Sequence, residues 1–413
     1  GLLALALPVL AAMTPIAPYE REDWVIPATP LDAKVLAKLG EKGIKPALPC
    51  SDEVFLRRVY LDLIGTLPTA AEVSAFAADT RPGKRAAVIE SLFQRPEFVD
   101  YWTLKWGDLL RIKAEFPINL WPNAVQAYQR WVFEAVRANK PLDQFARELL
   151  TASGSNFRVG PVNFWRAVQG RTPTALADVV ALTFLGMRTD KWPETKRKQL
   201  AAFFSRVSYK STGEWKEEIV SLSPAAGEPL TATFPDGTVV KIPPDKDPRQ
   251  VFADWLLASK NPYFARNMAN RIWSWLMGRG VVHEPDDLRP DNPPANPELL
   301  AYLEKELVAS RYDMRALFRL ILNSRTYQQS SISRSKQPDA EACFAQYIVR
   351  RLDAEVLADA LVYLTGSGEQ YMSMVPEPFT YIPENQRTIA LADGSITSPF
   401  LEMFGRPARD TGL

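Results

Sequence analysis

The sequence predicts a mainly α-helical protein: two helical segments joined by a short connection that contains a β-hairpin. Three observations carry this. Helix-start signals, a Ser, Thr, Asp or Asn followed by a proline or a capping carboxylate, recur along the chain. Apolar residues follow the helical period through about 30–207 and again through 248–364. Strand signals are confined to 217–242, where Asp236 and Gly237 offer a tight turn between two short apolar runs.

Taken in order, Thr29 and Pro30 provide an N-cap and a first-turn proline for a helix ending near Gly40, with Leu31, Val35, Leu36 and Leu39 on one face. Ser51 caps a second helix, striped by Phe55, Leu56, Val59 and Leu63 and closed by Gly65. Thr69 and Glu72 form a capping box, each satisfying a free amide at a third helix start. Helical patterns follow at 84–94, 97–112, 123–139, 142–152, 173–187 and 194–207. A strand fits 217–222, and a hairpin fits 230–234 with 239–242. The run from Pro243 to Pro248 reads as a linker and sets the boundary, giving a helical domain at 30–209, a β-rich connection at 210–247 and a second helical domain at 248–413. In that second domain, helices are expected at 248–259, 262–277, 297–310, 314–324, 340–350 and 354–364. From about 366, Pro376, Pro378, Pro383 and Pro399 predict an irregular, extended tail.

Composition narrows the function classes. At 413 residues and 46% hydrophobic, the chain can bury substantial cores. Lys and Arg total 49 against 48 Asp and Glu, so nothing in the charge favours nucleic acid, and Lys196 to Lys198 reads as a solvated helix face. Residues 1–17 are apolar, end in small residues and include prolines, which suits the remnant of a secretory signal better than a membrane span or a buried N-terminal segment. The expectation is an exported protein, periplasmic or at the cell surface, with no transmembrane segment in the mature chain. The clipped start and the unpunctuated end read as a piece of a longer reading frame. Export permits a disulfide, but Cys50 and Cys343 fall in different predicted domains and carry no signature spacing. With those two cysteines and one histidine, His283, the chain lacks the material for most metal, haem and nucleophilic-triad chemistry.

Several ordered matches carry a family resemblance. Residues 32–207, through the run Phe55 to Pro68, Phe184 to Arg188 and Ala201 to Phe204, resemble the planctomycete cytochrome-type domain, domain of unknown function family 1549. Residues 247–409 are similar to its usual partner, family 1553, through Asn261 to Arg266, Asn270 to Trp273, Gly278 to Gly280, Asp286 and Asp287, Asn292 to Pro294, Ser324 to Ser331 and Arg350 to Leu352. The resemblance implies export and, in many members, a Cys-x-x-Cys-His haem site and electron transfer; it carries over no catalytic residue. This chain departs at the decisive place. Between Arg188 and Trp192 stand only Thr189, Asp190 and Lys191, where typical members hold a longer stretch with the haem motif. Covalent haem needs two thiols and an adjacent axial imidazole, so no c-type haem is expected.

The remaining candidates cluster in the second domain. His283 offers a general base oriented by Glu284 or Asp286, or is simply a loop residue. Asp286, Asp287, Asp291 and Asn292 are oxygen donors suited to calcium, and salt bridges to Arg279 and Arg289 would account for the acids equally. Arg271, Arg279 and Arg325, with Arg350 and Arg351, suit an anionic-ligand cleft or internal pairing with Asp286, Asp287, Glu355 and Asp359. Trp102 and Trp106, at i, i+4, with Trp273 and Trp275, suit core packing better than sugar stacking. Three functions follow: a haemless binding or accessory protein; an enzyme acting on anionic polysaccharide through the acids and arginines of 278–292 and Arg325; or a redox partner with a noncovalent cofactor, for which no dinucleotide fingerprint speaks. The corresponding partners are a cytochrome or a surface polysaccharide.

Overall fold

The structure, a computed structural model, describes residues 14–21, 29–225, 227–383 and 385–411, so most of the predicted signal remnant lies outside the described residues. Its helices are α1 (Pro30–Glu41), α2 (Asp52–Ile64), α3 (Ala70–Ala78), α4 (Lys84–Leu92), α5 (Pro96–Leu109), α6 (Pro122–Arg137), α7 (Leu142–Thr151), α8 (Pro173–Val180) and α9 (Glu194–Ala201). After the sheets come α10 (Pro248–Leu256), α11 (Pro262–Met277), α12 (Pro297–Ala309), α13 (Met314–Leu322), α14 (Ala354–Thr365) and α15 (Pro399–Met403). The strands are β1 (Gly154–Ser155), β2 (Val207–Ser211), β3 (Glu218–Leu222), β4 (Leu230–Thr233) and β5 (Val239–Ile242). The fold is mainly α.

The caps behave as the sequence predicts. Thr29 and Asp32 close a reciprocal capping box on α1, Thr69 and Glu72 do so on α3, and the Ser51 hydroxyl accepts the Val54 amide on α2. Gly65 ends α2 in a left-handed conformation, φ 63°, where an added Cβ would lie 2.7 Å from the Tyr101 ring. The hairpin β4–β5 turns at Gly237, and the Asp236 carboxylate accepts the Thr238 amide. A second sheet, antiparallel in the order β1-β3-β2, pairs Val207 with Leu222 and Gly154 with Val220. Its outer two strands escaped prediction, and β2 begins where the helical pattern of 194–207 was expected to continue.

Two helix expectations are corrected. Residues 340–350 form turns, not a helix: Phe344 takes a positive φ of 60°, and its carbonyl accepts the Gln329 side-chain amide. Tyr347 and Arg350 instead turn inward to Asp62, so tertiary hydrogen bonds outweigh local propensity. The expected helix at 173–187 narrows to α8 and then widens into a single π-helical turn, Ala181–Leu185, closed by Gly186 at φ 64°.

One hydrophobic core runs across the predicted boundary. Trp102 of α5 packs on Phe318 of α13 with ring centroids 4.4 Å apart and on Trp275 of α11 at 5.4 Å, and Trp106 lies 5.6 Å from Trp275. Trp102, Trp106 and Trp273 are buried, as core tryptophans should be. Polar ties reinforce the seam. Asp62 on α2 accepts hydrogen bonds from the hydroxyls of Tyr327 and Tyr347, at 2.9 and 2.8 Å, and from Arg350 at 2.7 Å. The irregular stretch beyond 366 is also tied down: Arg409, its side chain wholly buried, pairs with Asp108 at 2.7 Å and donates to the Ile112 and Ala392 carbonyls. Cys50 and Cys343 are buried free thiols. Among the described residues no helix is long and apolar enough to cross a membrane.

Candidate functional site

The predicted cleft at 278–292 resolves into paired charges. Asp286 is bound to Arg188 at 3.2 Å, and Asp287 and Asp291 both pair with Arg289, at 2.6 and 3.2 Å. The Arg289 guanidinium, hydrogen-bonded to Asp287, holds that carboxyl below its usual range. Asn292 spends its amide on the His283 and Asp287 carbonyls. Among the described residues no group of three or more His, Cys, Asp or Glu side chains is placed to hold a metal ion. His283 faces solvent, its Nε2 3.2 Å from a Glu284 carboxylate oxygen.

Arg271 is buried on α11, donates weakly to the Leu182 carbonyl at 3.4 Å and leaves its Nε without a partner. Burial pushes its pKa down to about 10, against the pull of the Asp286 charge. Arg279 likewise has an unpartnered, buried Nε. Arg325 belongs elsewhere. Its backbone amide is held by Asp32 of α1, and its side chain lines a separate recess of about 220 Å³ with Val35, Leu39 and Pro49. The structure thus joins Arg271 electrostatically to Asp286, and leaves His283 and Arg325 outside any shared site with them.

A different feature has the shape of a ligand site. A cavity of about 470 Å³ opens beside the loop Arg188 to Asp190, within the roughly 300–1,000 Å³ of small-molecule pockets. The Thr172 hydroxyl accepts the Ala175 amide and Pro173 sets the first turn of α8, so Ala175, Asp178 and Val179 fall on one face toward the cavity. Leu182, in the π-helical turn, extends that wall, and Val168 and Gly170 complete its apolar part. Arg188, Thr189 and Asp190 of that loop form one side, with Arg197 of α9. Asp178 knits these pieces together by accepting hydrogen bonds from Thr189 and, at 2.6 Å, from Arg197. Asp410 and Thr411 contribute the opposite rim, where Asp410 pairs with Lys113 at 2.6 Å.

Arg111 also lines this cavity and, like the buried Arg58 and Arg271, has no carboxylate partner. Arg85, Arg166, Arg249, Arg406 and Arg409 each pair with a carboxylate: Asp52, Glu218, Asp247, Glu355 and Asp108. Arg111, 1% exposed, has none. Its Nε donates to the Ala167 carbonyl at 2.6 Å and its Nη1 to the Leu109 carbonyl at 3.2 Å, while its Nη2 has no partner. Burial lowers its pKa to about 10, with only Tyr128 opposing. The guanidinium also lies over the Phe164 ring, 5.8 Å from its centroid, so two carbonyls and a π face, not a carboxylate, meet a charge that is costly to bury. Sequence reading passed over this residue. Its signal was a lone arginine inside the apolar run Leu109-Leu110-Arg111-Ile112.

Comparison with known families finds two matches along the chain. Residues 30–209 match the family model described as "Protein of unknown function (DUF1549)". Residues 248–412 match that described as "Protein of unknown function (DUF1553)". The chain is a DUF1549–DUF1553 protein. No curated protein matches it, and no solved structure does. In family terms, the cavity is walled mainly by the DUF1549 segment, with Asp410 and Thr411 of the DUF1553 segment across its rim.

Proposed function

We propose that this DUF1549–DUF1553 protein is a haemless, exported binding or accessory protein that holds a small organic ligand noncovalently in the cavity beside Arg188 to Asp190. The observation that carries the reading is a cavity large enough for a small molecule, with an apolar wall of Val168, Ala175, Val179 and Leu182 and with Arg111, a buried cation without a carboxylate partner, among its lining residues. The missing thiols and imidazole of the shortened loop support a site without covalent haem. Export rests on the apolar residues 1–17. The enzymatic alternative drew on acids that are engaged with Arg188 and Arg289, and no observation favours it or the redox reading.

The test is to purify the protein from its native compartment, record its absorption spectrum, and compare native with denaturing mass spectra. The expected result is a small molecule that is released on denaturation, with no Soret band. A haem spectrum, or turnover of polysaccharide that survives substitution of Arg111, would overturn the proposal.

A further inference from the structure

Away from the cavity, several large apolar side chains that the fold leaves outside gather at one corner. Met374 is 87% exposed, Phe116 79% and Tyr381 72%, and Trp215 and Phe379 are each more than half exposed. They come from three loops: 113–121 between α5 and α6, 212–217 between β2 and β3, and 371–383 in the irregular tail. The loops touch one another. The Glu115 carboxylate accepts the Ser373 hydroxyl at 3.1 Å and the Met374 amide at 2.8 Å, and the Trp215 ring centroid lies 5.0 Å from that of Trp121 and 5.3 Å from that of Phe379. Single exposed apolar residues are ordinary, but several projecting together from adjoining loops mark a surface that meets something.

What it meets is constrained by the chemistry of the tips. The Glu115 carbonyl accepts the Ile118 and Asn119 amides, and the Lys113 and Ala114 carbonyls accept those of Leu120 and Trp121. In the tail, the Pro376 carbonyl accepts the Phe379 and Thr380 amides, the Ser373 hydroxyl accepts that of Val375, and Pro376 and Pro378 have no N–H. Backbone satisfied in this way approaches an apolar phase without stranding polar groups. Phe116 and Met374, the two most exposed of the five, offer a sugar hydroxyl no strong hydrogen-bonding group, which disfavours a glycan. Side chains standing so clear of the surface would need a fitted hollow in a folded partner, whereas a bilayer takes them without one. Trp215 and Tyr381 join an apolar ring to one polar group, the combination favoured at the headgroup level. The loops carry Lys113 and Lys216 against Glu115, Glu214, Glu217 and Glu377, so attraction to anionic lipid is not what holds them.

We propose that this corner is a membrane-docking surface, on which Phe116, Trp215, Met374, Phe379 and Tyr381 enter the headgroup zone of a zwitterionic lipid bilayer. The attachment is interfacial and apolar: the loops lie on the bilayer, and burial of their side chains supplies the affinity. The surface is distinct from the cavity beside α8, and its docking does not depend on what that cavity holds.

The experiment is flotation of the full chain with phosphatidylcholine vesicles over a series of lipid concentrations, at low and high salt. Half of the protein should float near ~0.1 mM lipid, the strength of a single acyl anchor, and salt should not release it. The double variant Phe116→Ser, Met374→Ser should keep the melting temperature, because both side chains are outside the core, and bind about ten- to a hundredfold more weakly. Val349→Ser removes a side chain of similar exposure from the turns before Arg350 and should change nothing. A second readout is quenching of tryptophan fluorescence by brominated phosphatidylcholine, which should occur in the unsubstituted chain and be largely lost in Trp215→Phe. No flotation at about 1 mM lipid would overturn the proposal. So would equal loss in Val349→Ser, or binding confined to phosphatidylglycerol vesicles and released by salt. Self-association that the double variant abolishes, without any flotation, would give the surface to a second copy of this chain and overturn the lipid assignment.

Discussion

Asp62→Ala tests whether the two family segments fold as one unit. Asp62 lies on α2 of the DUF1549 segment, and its three donors, Tyr327, Tyr347 and Arg350, all come from the DUF1553 segment. The substitution strands two hydroxyls, one on a wholly buried tyrosine, and a guanidinium that is 30% exposed. Removing one partner of a buried ion pair costs about 3–5 kcal/mol, and each stranded donor about 1–3 kcal/mol, without simple addition. Arg350 keeps the carbonyls of Trp275 and Leu276, which argues for the lower part of that range, about 3–4 kcal/mol. The assay is urea unfolding followed in parallel by tryptophan fluorescence and far-UV circular dichroism. Both signals should report one transition, shifted as a whole. Two transitions of which only one moves, or a loss under about 1 kcal/mol, would refute the shared-core reading.

Two further outcomes follow from local geometry. Burial alone would raise the Asp52 carboxyl, but hydrogen bonds and charges from Lys84 and Arg85 outweigh it and hold it below its usual value; Glu218 is held low in the same way by Arg171 and Arg166. Folded pKa values below the unfolded ones, about 4, mean that this stability is present above pH ~4 and is lost as pH falls through the folded values, so melting temperature should drop steeply there and Asp52→Asn should flatten the drop. Gly65→Ala should cost about 1–3 kcal/mol by thermal unfolding, because it puts a Cβ against the Tyr101 ring at a φ of 63°; a neutral result would show that α2 can end differently.

Local codes were legible in the sequence wherever the physics is local. The caps at Thr29, Ser51 and Thr69, the proline-led starts of α11 and α12, and the Asp236–Gly237 hairpin all stand where their chemistry put them. Misreadings arose where distant groups decide. The apolar period of 340–350 suggested a helix, yet Tyr347 and Arg350 answer to Asp62, nearly three hundred residues away. The strand β1 exists only because β3 pairs with it. The candidate site followed the same rule. Reading arginines and acids close in sequence picked out 278–292, where nearness allowed Asp287 and Asp291 to pair with Arg289. Arg111 mattered for the opposite reason, as a buried charge that no carboxylate answers, and only three-dimensional neighbours reveal that.

The path of Arg409 bears on how such a protein can be inherited. Its guanidinium reaches back to Asp108 and to carbonyls at Leu104 and Ile112, close to the site where Arg111 sits. A recombination event that swapped the latter portion of the gene for that of a distant cousin would have to deliver a matching arginine at the right point, or leave Asp108 stranded. The two portions are therefore expected to diverge in step, as interlocked halves and not as interchangeable modules.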